Sequence, residues 1–138
     1  MIIGVSACLL GENCKYNGGN NGSDKVKKFV KGHTVVPVCP EVMGGLSTPR
    51  DPAEIIGGVV RQKSGRSVDG EFREGARAAL QKIKDAGADV VILQSRSPSC
   101  GVNEIYDGTF TGRLVKGKGI FAAMLEEEGI RAVDVEEL

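Results

Sequence analysis

The chain of 138 residues has no tryptophan, and its two tyrosines and four phenylalanines make up only 4% of it. Single-stranded nucleic acid is held largely on stacked aromatic side chains, so this composition argues against such a platform. Charge of one sign is missing too: 18 Lys and Arg balance 18 Asp and Glu. No global field therefore draws the protein to nucleic acid or to an anionic membrane. No apolar run approaches the roughly 20 residues of a membrane span. The opening MIIGVSACLL lacks a charged region ahead of it and reads as a first buried strand, not a targeting segment. A cytoplasmic location is expected, where a disulfide framework would not persist. Histidine occurs once, as His33 beside Gly32 at the expected end of a helix. That position leaves a Ser-His-Asp triad without support.

Glycine is plentiful, at 20 residues, which suits many tight turns and close backbone approach. Ile2 to Ser6 is a short apolar run compatible with a buried strand, and Leu9 to Gly22 reads as a loop. Ser23 is the expected N-cap of a helix whose Val26, Phe29 and Val30 share one face and which Gly32 ends. Thr34 to Val38 is expected as a strand, the stretch after Pro40 as irregular chain, and Glu54 to Val60 as a strand. Phe72, Ala76, Ala79, Leu80 and Ile83 repeat at helical spacing within Val68 to Ala86, before Gly87. Ala88 to Leu93 is continuously apolar, the pattern of a parallel strand covered on both faces. A further helix is expected over Lys118 to Glu128 and a last strand over Arg131 to Val135. Strands alternating with helices imply one α/β domain over residues 1–138: a Rossmann-like three-layer sandwich, its mostly parallel sheet covered by helices on both faces.

Ligands of such sheets bind beyond the carboxyl ends of the strands. Cys8, Cys39 and Cys100 each follow an apolar run at such an end, in VSAC, VVPVCPE and SRSPSCG. A cysteine in a core is commonly just a small hydrophobe, but Pro, Gly, Ser and Glu beside these three are poor company for a core residue. A structural zinc site would show C-x₂₋₄-C pairs. The nearest pair, Cys8 and Cys14, has five residues between its members. Three scattered thiols suit an inorganic cluster better, since soft thiolate favours iron–sulfur clusters, Cu(I) or zinc. A [4Fe-4S] cluster usually takes four cysteines. With three, one iron is open to substrate; with Cys14 as a fourth, the site closes.

Other groups surround these motifs. Glu41, two residues after Cys39, can act as a general acid or base, or be an ordinary loop glutamate. Ser97 and Ser99 can hold a substrate atom or relay a proton, or merely form a turn. Gly44 and Gly45 would let backbone approach a ligand. Arg50 and Arg96 could recognise an anion or a carbonyl edge or be solvated surface charges, Tyr16 and Asn17 could line the mouth of a site, and Gly117 and Gly119 precede a helix start that could cradle an anion.

Taken together, VSACLLGENCKYNGG, VPVCPEVMGGLSTPR and SRSPSCG resemble the bacterial thiouracil desulfurase (TudS-like) family, long a domain of unknown function, over nearly the whole chain. The resemblance implies a [4Fe-4S] cluster held by Cys8, Cys39 and Cys100, with the fourth iron open to the sulfur of a thiolated pyrimidine. It also implies hydrolysis of C=S to C=O with release of sulfide, Glu41 as a proton-transfer group, and Ser97 as a ligand of substrate or water. Ser99, Gly44 and Gly45 fall where the substrate would bind. The sequence departs from the family in Asn17, where Asp is frequent, in Gln94, where Lys is frequent, and in the additional Cys14. A free thiobase, a thionucleotide and a thiolated tRNA base are all conceivable substrates. Two rival readings stand beside this one: a non-enzymatic, redox-sensing iron–sulfur or zinc module closed by four cysteines, and a zinc- or thiol-dependent hydrolase.

Overall fold

A computed structural model describes residues 1–138. Along the chain come β1 (Ile2–Ser6), α1 (Asp24–Val30), β2 (Thr34–Val38), α2 (Pro40–Met43), β3 (Ala53–Ile56), β4 (Val59–Gln62) and α3 (Asp69–Ala86). They are followed by β5 (Val90–Leu93), β6 (Glu104–Tyr106), β7 (Leu114–Lys116), α4 (Ile120–Glu127) and β8 (Ala132–Asp134). Four strands form one parallel sheet in the order β2-β1-β5-β8. The central strand β1 pairs Val5 with Pro37 on one side and with Ile92 on the other.

Side chains alternate across this sheet and build a core on each face. Val36 and Val38 of β2 and Val91 and Leu93 of β5 pack under Ala79 and Ile83 of α3 and Phe121 and Leu125 of α4. On the other face, Ile3, Val5, Val90 and Ile92 pack with Leu9 and with Val26 and Val30 of α1. The three layers are those the alternating pattern implies. A side chain at Gly4 would run into Ile83 and Val91, so glycine in mid-strand lets α3 lie close to the sheet. Ser23 caps α1 by accepting the Val26 N–H at 3.2 Å, and Gly87 ends α3 at a φ of 69°.

Three elements differ from the sequence expectation. The stretch expected as one strand over Glu54 to Val60 is an antiparallel hairpin of β3 and β4, reversed at Gly57 and Gly58, whose φ angles are 57° and 82°. Two adjacent residues with positive φ are what a tight hairpin turn demands, and Gly-Gly supplies them. A second hairpin, β6 and β7, follows Cys100; its strands are too short to show a period. The irregular chain expected after Pro40 begins with the single turn of α2.

The seating of α2 explains Gly44. Gly44 and Gly75 face each other where α2 crosses α3, and a Cβ on Gly75 would lie 2.7 Å from Gly44 N and closer still to the Pro40 carbonyl. Gly75→Ala is expected to push α2 away from α3 and to lower stability by about 1–3 kcal/mol, moving Glu41 with it. Chemical denaturation with a parallel activity assay checks this.

Candidate active site

Each of the three motif cysteines is held at a strand end by its own local device. After β1, a 3-10 turn over Ala7–Leu10 carries Cys8 and closes at Gly11, with a φ of 94°. The Asn21 N–H returns to the Cys8 carbonyl at 3.0 Å, and its side-chain amide lies 3.6 Å from Cys8 Sγ. After β2, Cys39 is the N-cap residue of α2, and Pro40 supplies a preset φ for the first turn. After β5, Ser97 organises the turn into Cys100: its Oγ accepts the N–H groups of Ser99 at 3.1 Å and of Cys100 at 3.0 Å.

The start of α4 completes that turn. The Ile120 N–H donates to the Pro98 carbonyl and the Phe121 N–H to the Ser99 carbonyl, both at 2.9 Å. The helix start after Gly117 and Gly119, which by its sequence could cradle an anion, is already occupied by the protein's own carbonyls. A side chain at Gly119 would collide with the Ser99 backbone.

The four cysteines meet around one cavity of about 500 Å³ beyond the carboxyl ends of β1, β2 and β5. All four are free thiols. Burial pushes the Cys100 thiol up to about 12, against hydrogen bonds from Ser6 and Ser99 that favour its ionised form. Cys14 is also pushed up to about 12, by burial first and then by the neighbouring Cys39. Burial raises Cys8 as well. Thiols that share one cavity and are disfavoured there as bare anions suit a cation that can take the place of their protons. No three His, Cys, Asp or Glu side chains come close enough together to share a single ion. Thiols spread around a wide cavity instead fit a group that spans several ångströms itself.

Glu41 lies against this ring of thiols and links two parts of the site. Its Oε2 accepts from Ser99 Oγ at 2.8 Å, and Ser99 Oγ lies 2.9 Å from Ser97 Oγ. Because Ser97 Oγ already accepts two backbone N–H groups, its own proton is directed to Ser99, and that of Ser99 to Glu41. The other oxygen, Oε1, receives Arg50 Nε at 3.2 Å. From the sequence, Arg50 reads as a recogniser of an anion or a carbonyl edge or as an ordinary solvated charge. Its side chain is 5% exposed and fully engaged, with Nη2 on the Cys14 carbonyl at 2.8 Å and Nη1 on Thr48 Oγ1 at 2.9 Å. It ties the Cys14 loop to Glu41.

The remaining candidates divide. Ser97, Ser99, Gln94, Tyr16 and Arg96 line the cavity, and Arg96 pairs with Glu136 at 3.2 Å. Gly44 and Gly45 do not line it: the first makes room for α3, and the second turns the chain at a φ of 93°. Asn17 accepts the Gly19 N–H within its own loop. His33 lies 3.0 Å from the amino terminus and far from the thiols in the fold. Sequence reasoning missed Tyr106 and Phe110 from the second hairpin and Glu54 from the first, which also line the cavity. Both tyrosines thus sit at the cavity, while Phe72 and Phe121 are in the cores. Tyr16, Tyr106 and Phe110 together offer flat apolar faces to a planar ligand.

Three strand-end thiols, a carboxyl group and two serines in one cavity are the arrangement the motifs imply, and a family sequence model for 2-thiouracil desulfurase matches residues 3–137. The chain belongs to this family. It is 43% identical over 147 residues to the protein YbbK of Bacillus subtilis (strain 168), itself uncharacterised, across 99% of this chain and 97% of that one. The solved structure of TudS, described as a [4Fe-4S]-dependent thiouracil desulfidase, superposes with a TM-score of 0.93 at 40% identity, covering 99% of this chain and 91% of that chain. The parallel α/β fold is therefore that of a family neighbour, and no helix is long and apolar enough to cross a membrane.

Proposed function

We propose that the protein is a [4Fe-4S]-dependent desulfurase that converts small thiolated pyrimidines such as 2-thiouracil to their oxo forms and releases sulfide. The observation that carries this reading is the convergence of Cys8, Cys39 and Cys100 on one cavity that also holds the Ser97–Ser99–Glu41 hydrogen-bond chain. The cavity volume of about 500 Å³ lies in the range of small-molecule sites. Held by those three thiolates, a cluster supplies an iron without a protein ligand, a Lewis acid suited to a soft thiocarbonyl sulfur.

The protein's own groups supply the proton chemistry. Oxygen from water replaces sulfur on the ring carbon, and its two protons leave with the sulfur as H₂S, so the substrate is neither oxidised nor reduced overall. Ser99 Oγ, which keeps one lone pair free, takes a proton from the attacking water or the substrate and passes its own to Glu41 Oε2, while Ser97 Oγ holds Ser99 Oγ in line. Arg50 fixes Oε1, so that Oε2 keeps its contact with Ser99. Tyr16, Tyr106 and Phe110 line the cavity and offer flat apolar faces to a ring. The test is anaerobic turnover of 2-thiouracil in ¹⁸O-labelled water by iron-loaded protein. Uracil carrying ¹⁸O and sulfide in equal amounts supports the reading; no uracil contradicts it.

Cys14 is the one observation that favours a second reading. Its thiol lines the same cavity beside Cys39, as a fourth ligand of a closed, non-catalytic site would. The first reading instead assigns Cys14 a loop role: its carbonyl is the group that Arg50 grips. Cys14→Ser is expected to keep iron content and sulfide release within about threefold of the parent, a change of under 1 kcal/mol. Iron analysis of the purified variant checks this, and loss of iron would favour the closed site.

A further inference from the structure

Glu54 is the second carboxyl group in the cavity wall, and the chemistry described above leaves it unused. It is 8% exposed. Its Oε1 accepts two backbone N–H groups, from Gly108 at 2.9 Å and from Phe110 at 3.1 Å. These bonds fasten the tip of the second hairpin to β3. They also hold Phe110 at a φ of 57°, a left-handed conformation that a residue with a bulky side chain rarely adopts. A buried carboxyl group and a strained backbone thus combine to set one aromatic side chain in the cavity wall. Glu54 Oε2 makes no hydrogen bond, whereas every fully buried side-chain oxygen or nitrogen of the protein has a partner. Oε2 therefore reaches solvent, on a residue that lines the cavity.

We propose that Glu54 is a specificity-determining residue: Oε2 accepts a ring N–H of the pyrimidine, while Oε1 holds Phe110 as the apolar wall beside the ring. The inference rests on the desulfurase reading for its ligand class. Its logic is that a carboxylate only accepts hydrogen bonds, and 2-thiouracil offers ring N–H donors. A site built to pair such a donor rejects an analogue that lacks it, because the polar group is left unpaired.

The test compares 2-thiouracil with its 1-methyl and 3-methyl derivatives, in the parent protein and in Glu54→Gln. Glutamine can still accept both loop amides but offers a donor in place of Oε2. In the parent, one of the two methylated compounds is expected to lose on the order of tenfold or more in kcat/KM, mainly through KM. In Glu54→Gln the KM for 2-thiouracil should rise by a similar factor, and the penalty on that methylated compound should shrink. Phe110→Leu should raise KM for all three compounds and leave their ratio unchanged. Equal use of both methylated compounds by the parent, or an unchanged ratio in Glu54→Gln, overturns the proposal. Equilibrium dialysis of uracil, 1-methyluracil and 3-methyluracil against metal-free protein reads the same ratio without turnover. If no thiolated compound yields sulfide, the desulfurase reading falls, and the dialysis ratio still decides the role of Glu54. If Glu54→Gln does not fold, the two methylated ligands on the parent protein decide it.

Discussion

Serine in place of Cys100 is expected to abolish iron retention and sulfide release together. Cys100 is the most enclosed of the four thiols, at 5% exposure, and the Ser97 turn and the α4 start hold it from both sides. A serine oxygen is a hard, poorly ionised donor where the cluster needs soft thiolate. With only two of its three thiolates left, the cluster would be lost, and turnover should fall at least 10³-fold, about 4 kcal/mol in transition-state terms. The fold should persist, because serine is nearly isosteric and keeps Ser6 and Ser99 as hydrogen-bonding neighbours. Iron and sulfide analysis, thermal unfolding and the turnover assay on one preparation separate loss of metal from loss of fold. Cys8→Ser and Cys39→Ser should behave alike, in contrast to Cys14→Ser.

The second large effect concerns proton transfer with the metal left in place. Glu41→Gln should retain iron, because no thiol is touched, and should lower kcat by about 10²–10⁴-fold, the usual contribution of a positioned general acid or base. Glutamine keeps an oxygen for Arg50 Nε, but the atom facing Ser99 becomes either a donor or a group that cannot take up a proton. The directed chain from Ser97 through Ser99 then has no terminus. Ser97→Ala removes the other end, and also the acceptor of the Ser99 and Cys100 N–H groups. It should cost kcat as well as some order in the turn. The measurement is kcat at matched iron content for parent and both variants. A Glu41→Gln protein with full iron and undiminished kcat would remove Glu41 from the reaction.

The layers of the fold were legible because the sheet strands and α3 carry long, strongly patterned apolar runs. Val90 to Leu93 is buried at every position, as a continuous apolar run implies for a strand covered on both faces. The thiol convergence was legible for a topological reason: parallel strands deliver their carboxyl ends to one edge. The hairpins were hidden. β6 and β7 have three residues each, too few for a period to emerge, and Gly57-Gly58 lay inside what read as one strand. Arg50 was hidden for another reason. Whether an arginine is buried depends on partners far along the chain, here Cys14 and Glu41, and no local pattern records them. Gly44 shows the converse error, since a glycine beside a functional motif was serving helix packing against Gly75. Gly-Lys-Gly before α4 shows a similar one: the amides that looked free for an anion were taken by the turn bearing Cys100.

The central claim is that three thiols hold a cluster on which this cavity desulfurises a thiolated pyrimidine. The most direct test loads the protein anaerobically with increasing iron and sulfide, records the absorption spectrum and iron content of each sample, and then adds 2-thiouracil. The account predicts an iron–sulfur spectrum, and sulfide release that rises with iron content to a maximum at about four irons per chain. Sulfide release that does not depend on iron, or a fully loaded cluster that releases none from any thiolated pyrimidine, would contradict it.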